Sequence, residues 1–231
     1  MRRWNRLKTL LLILVTLALV LGVVGWLLTA EPAFYVRETA DTPRPDDPVL
    51  AGQVTTRLGE LQDDIFDKSD WGATFTTDEV NAFLRSGNTG KDPVASPLVA
   101  GMNRPRVDVR GDRLILSDRA GSGLFSTVWS LELRVWLVDK EPNLLAVEVA
   151  GFYAGSMPLP KRSVMTRMGD AARRIKADVT WYRHDGNPVG LFKLFANQPA
   201  ATTQLLAVKV KDGKLSVGGK NLTRPSGADP K

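Results

Sequence analysis

Between Leu10 and Leu28 the chain runs for about 19 residues without a charge, rich in Leu and Val. As a helix rising ~1.5 Å per residue this run spans roughly 28 Å, close to the hydrocarbon thickness of a bilayer. The segment is therefore expected to cross a membrane, over residues 10–29, and to hold whatever follows at a membrane surface. Ahead of it, residues 1–9 are short and basic, with Arg2, Arg3, Arg6 and Lys8. The positive-inside rule then leaves this flank in the cytoplasm and the rest of the chain outside, with Trp4 and Trp26 near the two headgroup regions.

The main rival is a cleaved signal peptide, since Leu28-Thr29-Ala30 loosely resembles a cleavage site. An apolar region of roughly 7–15 residues and a small residue in place of Leu28 would suit that reading better. The paired arginines resemble a twin-arginine signal, but the residues after them depart from it. The expectation is an uncleaved signal-anchor in a bacterial inner membrane, with an extracytoplasmic domain.

Composition matters here mainly for what it excludes. Of 31 basic residues four precede the apolar run, which leaves 27 against 25 acidic ones, so the net charge of +6 is a topology signal and not a nucleic-acid footprint. No cysteine is present, which removes disulfides, thiolate metal sites, thiol nucleophiles and a lipoprotein attachment residue. His184 is the single histidine, beside Asp185 in a turn and far from any nucleophile-elbow serine, so a serine–histidine–acid triad is a poor reading. Phosphate loops, dinucleotide fingerprints, metal-spaced histidines and EF-hand loops are all missing from the sequence. No cofactor or metal is expected. Asn221-Leu222-Thr223 has the form of a glycosylation sequon, meaningful only on a eukaryotic secretory route.

Residues 30–47, with Pro32, Pro43 and Pro45 among polar residues, read as an extended spacer. About 180 residues then remain, enough for one domain with a real core, placed at 48–223 with a polar tail over 224–231. Pro48 follows Asp46-Asp47 as a helix start, and Val54, Leu58, Leu61 and Ile65 recur at helical spacing, which predicts a helix over 48–68. Asp63, Asp64 and Asp67 on it read as a solvated acidic face. Trp71 to Leu84 reads as a strand entering a helix, with Thr76 and Glu79 at capping-box spacing and Asn81 bonding backbone.

Beyond a Gly- and Pro-rich loop at 87–103 the period changes to two. Strands are expected at 107–109 and 114–116, from about 125 to 138, and at 145–149, as an antiparallel meander. Leu131, Leu133, Val135 and Leu137 share one face with Leu145, Val147 and Val149. That row is core or the lining of an apolar groove. Trp136, Val138 and Phe152 are expected on the wetter face, under some cover. After Met157-Pro158-Leu159-Pro160, a second long amphipathic helix is expected from Lys161 to about Thr180, carrying Arg162, Arg167, Arg173 and Arg174 for contact with membrane or partner. Residues 181–199 are ambiguous around the Asp185-Gly186-Asn187-Pro188 turn, and Leu206 to Val217 form a closing hairpin about Asp212-Gly213.

The segment Phe75 to Leu84, the alternating strands, and Gly155-Ser156-Met157-Pro158-Leu159-Pro160 before a helix together resemble the YpmS-like proteins. These are small bacterial proteins with one N-terminal anchor and an extracytoplasmic domain. A more distant resemblance is to tubular lipid-binding domains, in which a long helix lies in a curved antiparallel sheet. The resemblance implies topology and carries over no catalytic residue; the fold expected for the domain is α+β, a curved antiparallel sheet packed with the two long helices at 48–68 and 161–180.

The functional expectation is a non-enzymatic domain that binds a lipid or other apolar ligand, or an envelope protein partner. An assembly scaffold working through the basic helix is the alternative, and a hydrolase with paired carboxylates comes third.

Overall fold

The computed structural model describes residues 2–40, 44–86, 102–123, 126–139, 141–174, 178–195 and 202–222. Helix α1 (Arg2–Thr29) contains the apolar run; its Leu12–Thr29 window has a mean hydropathy of 2.6, and none of it is buried in protein. Among the described residues it is the one helix long and apolar enough to cross a membrane.

The chain does not extend into a spacer after it. Helix α2 (Ala33–Thr39) follows at once, with Tyr35 at 0% and Phe34 at 4% exposure against Ile115 and Val128. Two adjacent aromatics bury too much apolar area to stay in water, and this overrides the surrounding prolines. The extended-spacer expectation is corrected accordingly: residues 33–39 belong to the domain.

Helix α3 (Asp47–Asp67) starts with Pro48 in its first turn and packs on α4 (Thr77–Arg85) and β1 (Asp70–Thr76). The strand-to-helix junction forms as the sequence predicts: Thr76 accepts from the Glu79 amide, and Glu79 accepts from the Thr76 amide at 2.7 Å. The 87–101 part of the expected loop lies outside the described residues.

The main sheet has the order β2-β3-β4-β5-β8-β7, antiparallel throughout. Its strands are β2 (Arg106–Arg110), β3 (Arg113–Ala120), β4 (Thr127–Leu137), β5 (Leu144–Ala154), β7 (Asp178–His184) and β8 (Asn187–Lys193). The two-residue β6 (Met157–Pro158) folds back on β5. A second sheet, β1-β10-β9, joins β1 to the hairpin of β9 (Thr203–Lys211) and β10 (Lys214–Asn221). Asp212 and Gly213 turn that hairpin with φ of 52° and 71°, the left-handed pair a tight turn of this hand requires. Asn143, in the β4–β5 turn, links the sheets: its side chain donates to the Thr203 carbonyl and accepts from the Leu205 amide.

Two sequence expectations change here. The second helix is α5 (Arg162–Arg174), 13 residues, and β7 begins at Asp178. Val179, Thr180, Trp181 and Tyr182 are β-branched or aromatic, and Val179 packs with Phe192 against the same cluster that α5 covers, so pairing with β8 wins over helix. One helix is therefore long within the domain, not two.

Phe152 also changes sides. A bulge sets Gly151 opposite Glu132 and Val149 opposite Leu133, with Ala150 unpaired between them. One extra residue reverses the alternation, so Phe152 lies opposite Leu131 and packs on the apolar face. Lys161 donates to the freed Ala150 carbonyl at 2.7 Å. Trp136 stays on the other face, its ring 6.3 Å from that of His184.

Candidate functional site

The apolar row lies beneath α5. Leu131 and Val149 cluster with Val164, while Val147 clusters with Ala172 and Phe192, and Met168 bridges the two groups. Leu133, Val135 and Leu145 pack around them, and Leu137 lies opposite Leu145 at the end of the row. These residues are the sheet's half of the core, and a one-sided apolar helix supplies the other half.

The outer face of α5 is basic. Arg162, Arg167 and Arg173 are exposed, and Arg173 pairs with Asp170 one turn earlier. Arg174 closes the helix. Neither Arg162 nor Arg167 has a carboxylate within ion-pair distance among the described residues. At the start of α5 an open depression of about 510 Å³ lies between Phe152, Leu159, Pro160, Arg162, Ser163 and Thr166. Its wall is largely apolar, and Arg162 is its one charge.

Sequence reasoning did not find the junction between α1 and the domain. The last carbonyls of a helix have no partner within it. Here the Ser156 amide donates to the Leu27 carbonyl at 2.8 Å and Thr127 Oγ1 to the Leu28 carbonyl at 2.6 Å. Thr29 Oγ1 turns back to the Gly25 and Trp26 carbonyls. Glu31 pairs with Arg119 at 2.6 Å, and that guanidinium lies 5.8 Å from the centre of the Tyr35 ring. Tyr35 in turn donates to the Arg104 carbonyl. The Gly155-Ser156 turn is the part of this junction that the sequence showed as a motif.

Next to it lies a buried cluster of charge. Glu38, 3% exposed, accepts from Arg37, Arg44 and Arg85, and Arg85 also holds Asp47 with Nε at 2.8 Å. Burial alone would raise the Glu38 carboxyl, yet hydrogen bonds from Arg85 and Arg37 and the charge of Arg44 hold it below the usual range. The Arg85 hydrogen bonds likewise lower Asp47. Arg106 is buried beside them and donates to the Glu38 and Pro105 carbonyls; burial, then the nearby Arg85 charge, lower its pKa. The cluster ties the C-terminal end of α2, the start of α3, the end of α4 and the start of β2 to one another.

Asn81, 1% exposed, spans the Val107 backbone with two hydrogen bonds of 2.8 Å, one given and one accepted. It closes the free edge of β2. Asp64 on α3 is paired with Lys68, and among the described residues no group of three or more His, Asp or Glu is placed to hold a metal ion. No family model, no curated protein and no solved structure matches this chain.

Proposed function

We propose that this chain is a single-pass protein of a bacterial inner membrane, with its N-terminus in the cytoplasm and a non-catalytic extracytoplasmic domain that docks an envelope protein through the basic outer face of α5. The observation that carries this reading is the junction. A tether meant only to retain a domain needs no contact with it, whereas here the last turn of α1 bonds to β4 and to the β5–β6 turn, and α2 is part of the core. Such a joint holds the domain in one pose over the bilayer. A fixed pose serves a module that presents a particular surface.

The basic helix is the surface it presents. Val164 packs near the α1 end of β4 and Ala172 further along the sheet, so α5 leads away from the junction. Arg173 is about 16 Å further along the helix axis than Arg162, beyond a Debye length of ~8 Å. Arg173 therefore suits an acidic protein partner better than a shared lipid surface, and the exposed Arg167 between the two continues the same basic face. The apolar row supports core packing, not a groove for a ligand.

A photo-crosslinker placed at Thr166 in the full chain, in native membranes, tests this. One discrete adduct, lost when Arg167→Glu and Arg173→Glu are combined in a chain that keeps its folded circular dichroism, is the expected result. An adduct pattern that survives the double charge reversal would contradict it.

A further inference from the structure

The depression at the start of α5 lies at the α1 end of the domain, and its composition, an apolar wall with one cation, matches one component of a membrane. Leu159 is three residues beyond Ser156, whose amide holds the Leu27 carbonyl, so it sits within about 10 Å of the anchor along an extended chain. Leu159 itself is tied back by its amide to the Phe152 carbonyl at 2.7 Å. Phe152 stacks edge-on with Trp129 at 6.4 Å, and Trp129 follows by two residues the Thr127 that caps Leu28. Of the two rings Trp129 is the type that the headgroup region of a bilayer favours, and both also pack against the Leu131, Val149 and Val164 cluster. Arg162, without a carboxylate partner among the described residues, adds one free cation at the rim.

We infer that this depression seats an anionic phospholipid of the bilayer that carries α1, its phosphate on Arg162 and its glycerol and upper acyl carbons against Phe152, Leu159 and Pro160. The inference rests on the reading of α1 as a membrane anchor. It requires nothing of the partner surface at Arg167 and Arg173. The occupant is a lipid and not a soluble anion, because the wall beside Arg162 is apolar and a free phosphate would gain nothing from it. Ser163 is already engaged with the Pro160 carbonyl at 3.2 Å, which leaves Arg162 as the charged contact that selects the headgroup.

The chain has no cysteine, so Thr166→Cys gives a single labelling site at the depression. The full chain carrying bimane at that position is reconstituted in phosphatidylcholine nanodiscs, with a minor fraction of brominated phosphatidylglycerol or brominated phosphatidylcholine. Brominated phosphatidylglycerol should quench with an apparent affinity about five-fold higher, the effect of one basic side chain at an anionic surface. Arg162→Gln should remove the preference, Arg162→Lys should keep most of it, and Lys209→Gln, at an exposed position on β9 of the second sheet, should leave it unchanged. Equal quenching by the two lipids, or a preference that survives Arg162→Gln, overturns the inference. A chain that fails to enter nanodiscs overturns the anchor reading as well, so the two failures are distinct.

Discussion

The amide of Ser156 donates to the carbonyl of Leu27 at 2.8 Å, and Gly155 before it lies so close that a Cβ there would stand 2.2 Å from the same oxygen. Gly155 also has φ +58°, a backbone region that only glycine adopts freely. Gly155→Val should therefore separate the helix end from the domain at a strain of about 1–3 kcal/mol. Hydrogen exchange at the Ser156 amide reports it: protected in the parent chain, fast in the variant, while Val149 in the core keeps its protection.

Arg85 holds two carboxylates at once, Glu38 and Asp47. Removing it leaves Glu38 buried with less countercharge, and breaking such a pair costs about 3 kcal/mol or more. Arg85→Met should lower the unfolding free energy by that amount in urea titration. Arg85→Lys should recover only part, because one ammonium cannot reproduce the guanidinium fork that reaches both partners.

Stability should fall in acid for a defined reason. Glu38, Asp47 and Glu79 all have pKa values below their ordinary 4.5, 3.8 and 4.5. For Glu79 the raising effect of burial is outweighed by hydrogen bonds from Thr76 and the charge of Arg57. A carboxyl lowered by folding binds its proton more readily when unfolded, so its stabilisation is complete above the unfolded values and is lost as pH drops through the folded ones. Unfolding free energy should be flat above about pH 5 and decline below it, with a shallower decline in Glu38→Gln. An equal slope in the two proteins would remove Glu38 from the explanation.

Asn81 satisfies the Val107 amide and carbonyl together. Asn81→Leu leaves both unpaired and should cost about 2–6 kcal/mol, from 1–3 per orphaned buried group. Asn81→Asp keeps the acceptor for the Val107 amide, loses the donor and buries a charge, and should be no better. Thermal unfolding of the three proteins checks the order.

Much of the fold was legible because its signals are local. The Thr76–Glu79 box, the period-two strands and the Asp212-Gly213 turn each act within a few residues, and each forms. What was hidden depends on distance along the chain. Phe34 and Tyr35 are aromatics in a polar, Pro-containing stretch, and only the presence of Ile115 and Val128 makes a helix there worthwhile. The bulge at Ala150 is marked in the sequence only by Gly151 after it, a residue that weakens a strand without fixing where its register slips, yet it moves Phe152 to the opposite face. Val179 continues the helical apolar pattern of Val164, Met168 and Ala172, and pairing with β8 decides it otherwise. The Glu38–Arg85–Asp47 cluster joins residues whose charges look like solvated surface when read in order.

The most direct test of the account is whether α1 and the domain move as one body. With Leu21→Cys on the exposed side of α1 and Tyr182→Cys on β7 as the only thiols, spin labels in the full chain in nanodiscs give the distance distribution between anchor and domain. A single narrow distribution that broadens in Gly155→Val is the predicted result. A broad distribution in the parent chain, unchanged by that substitution, would mean that the domain swings freely on its anchor and would contradict the account.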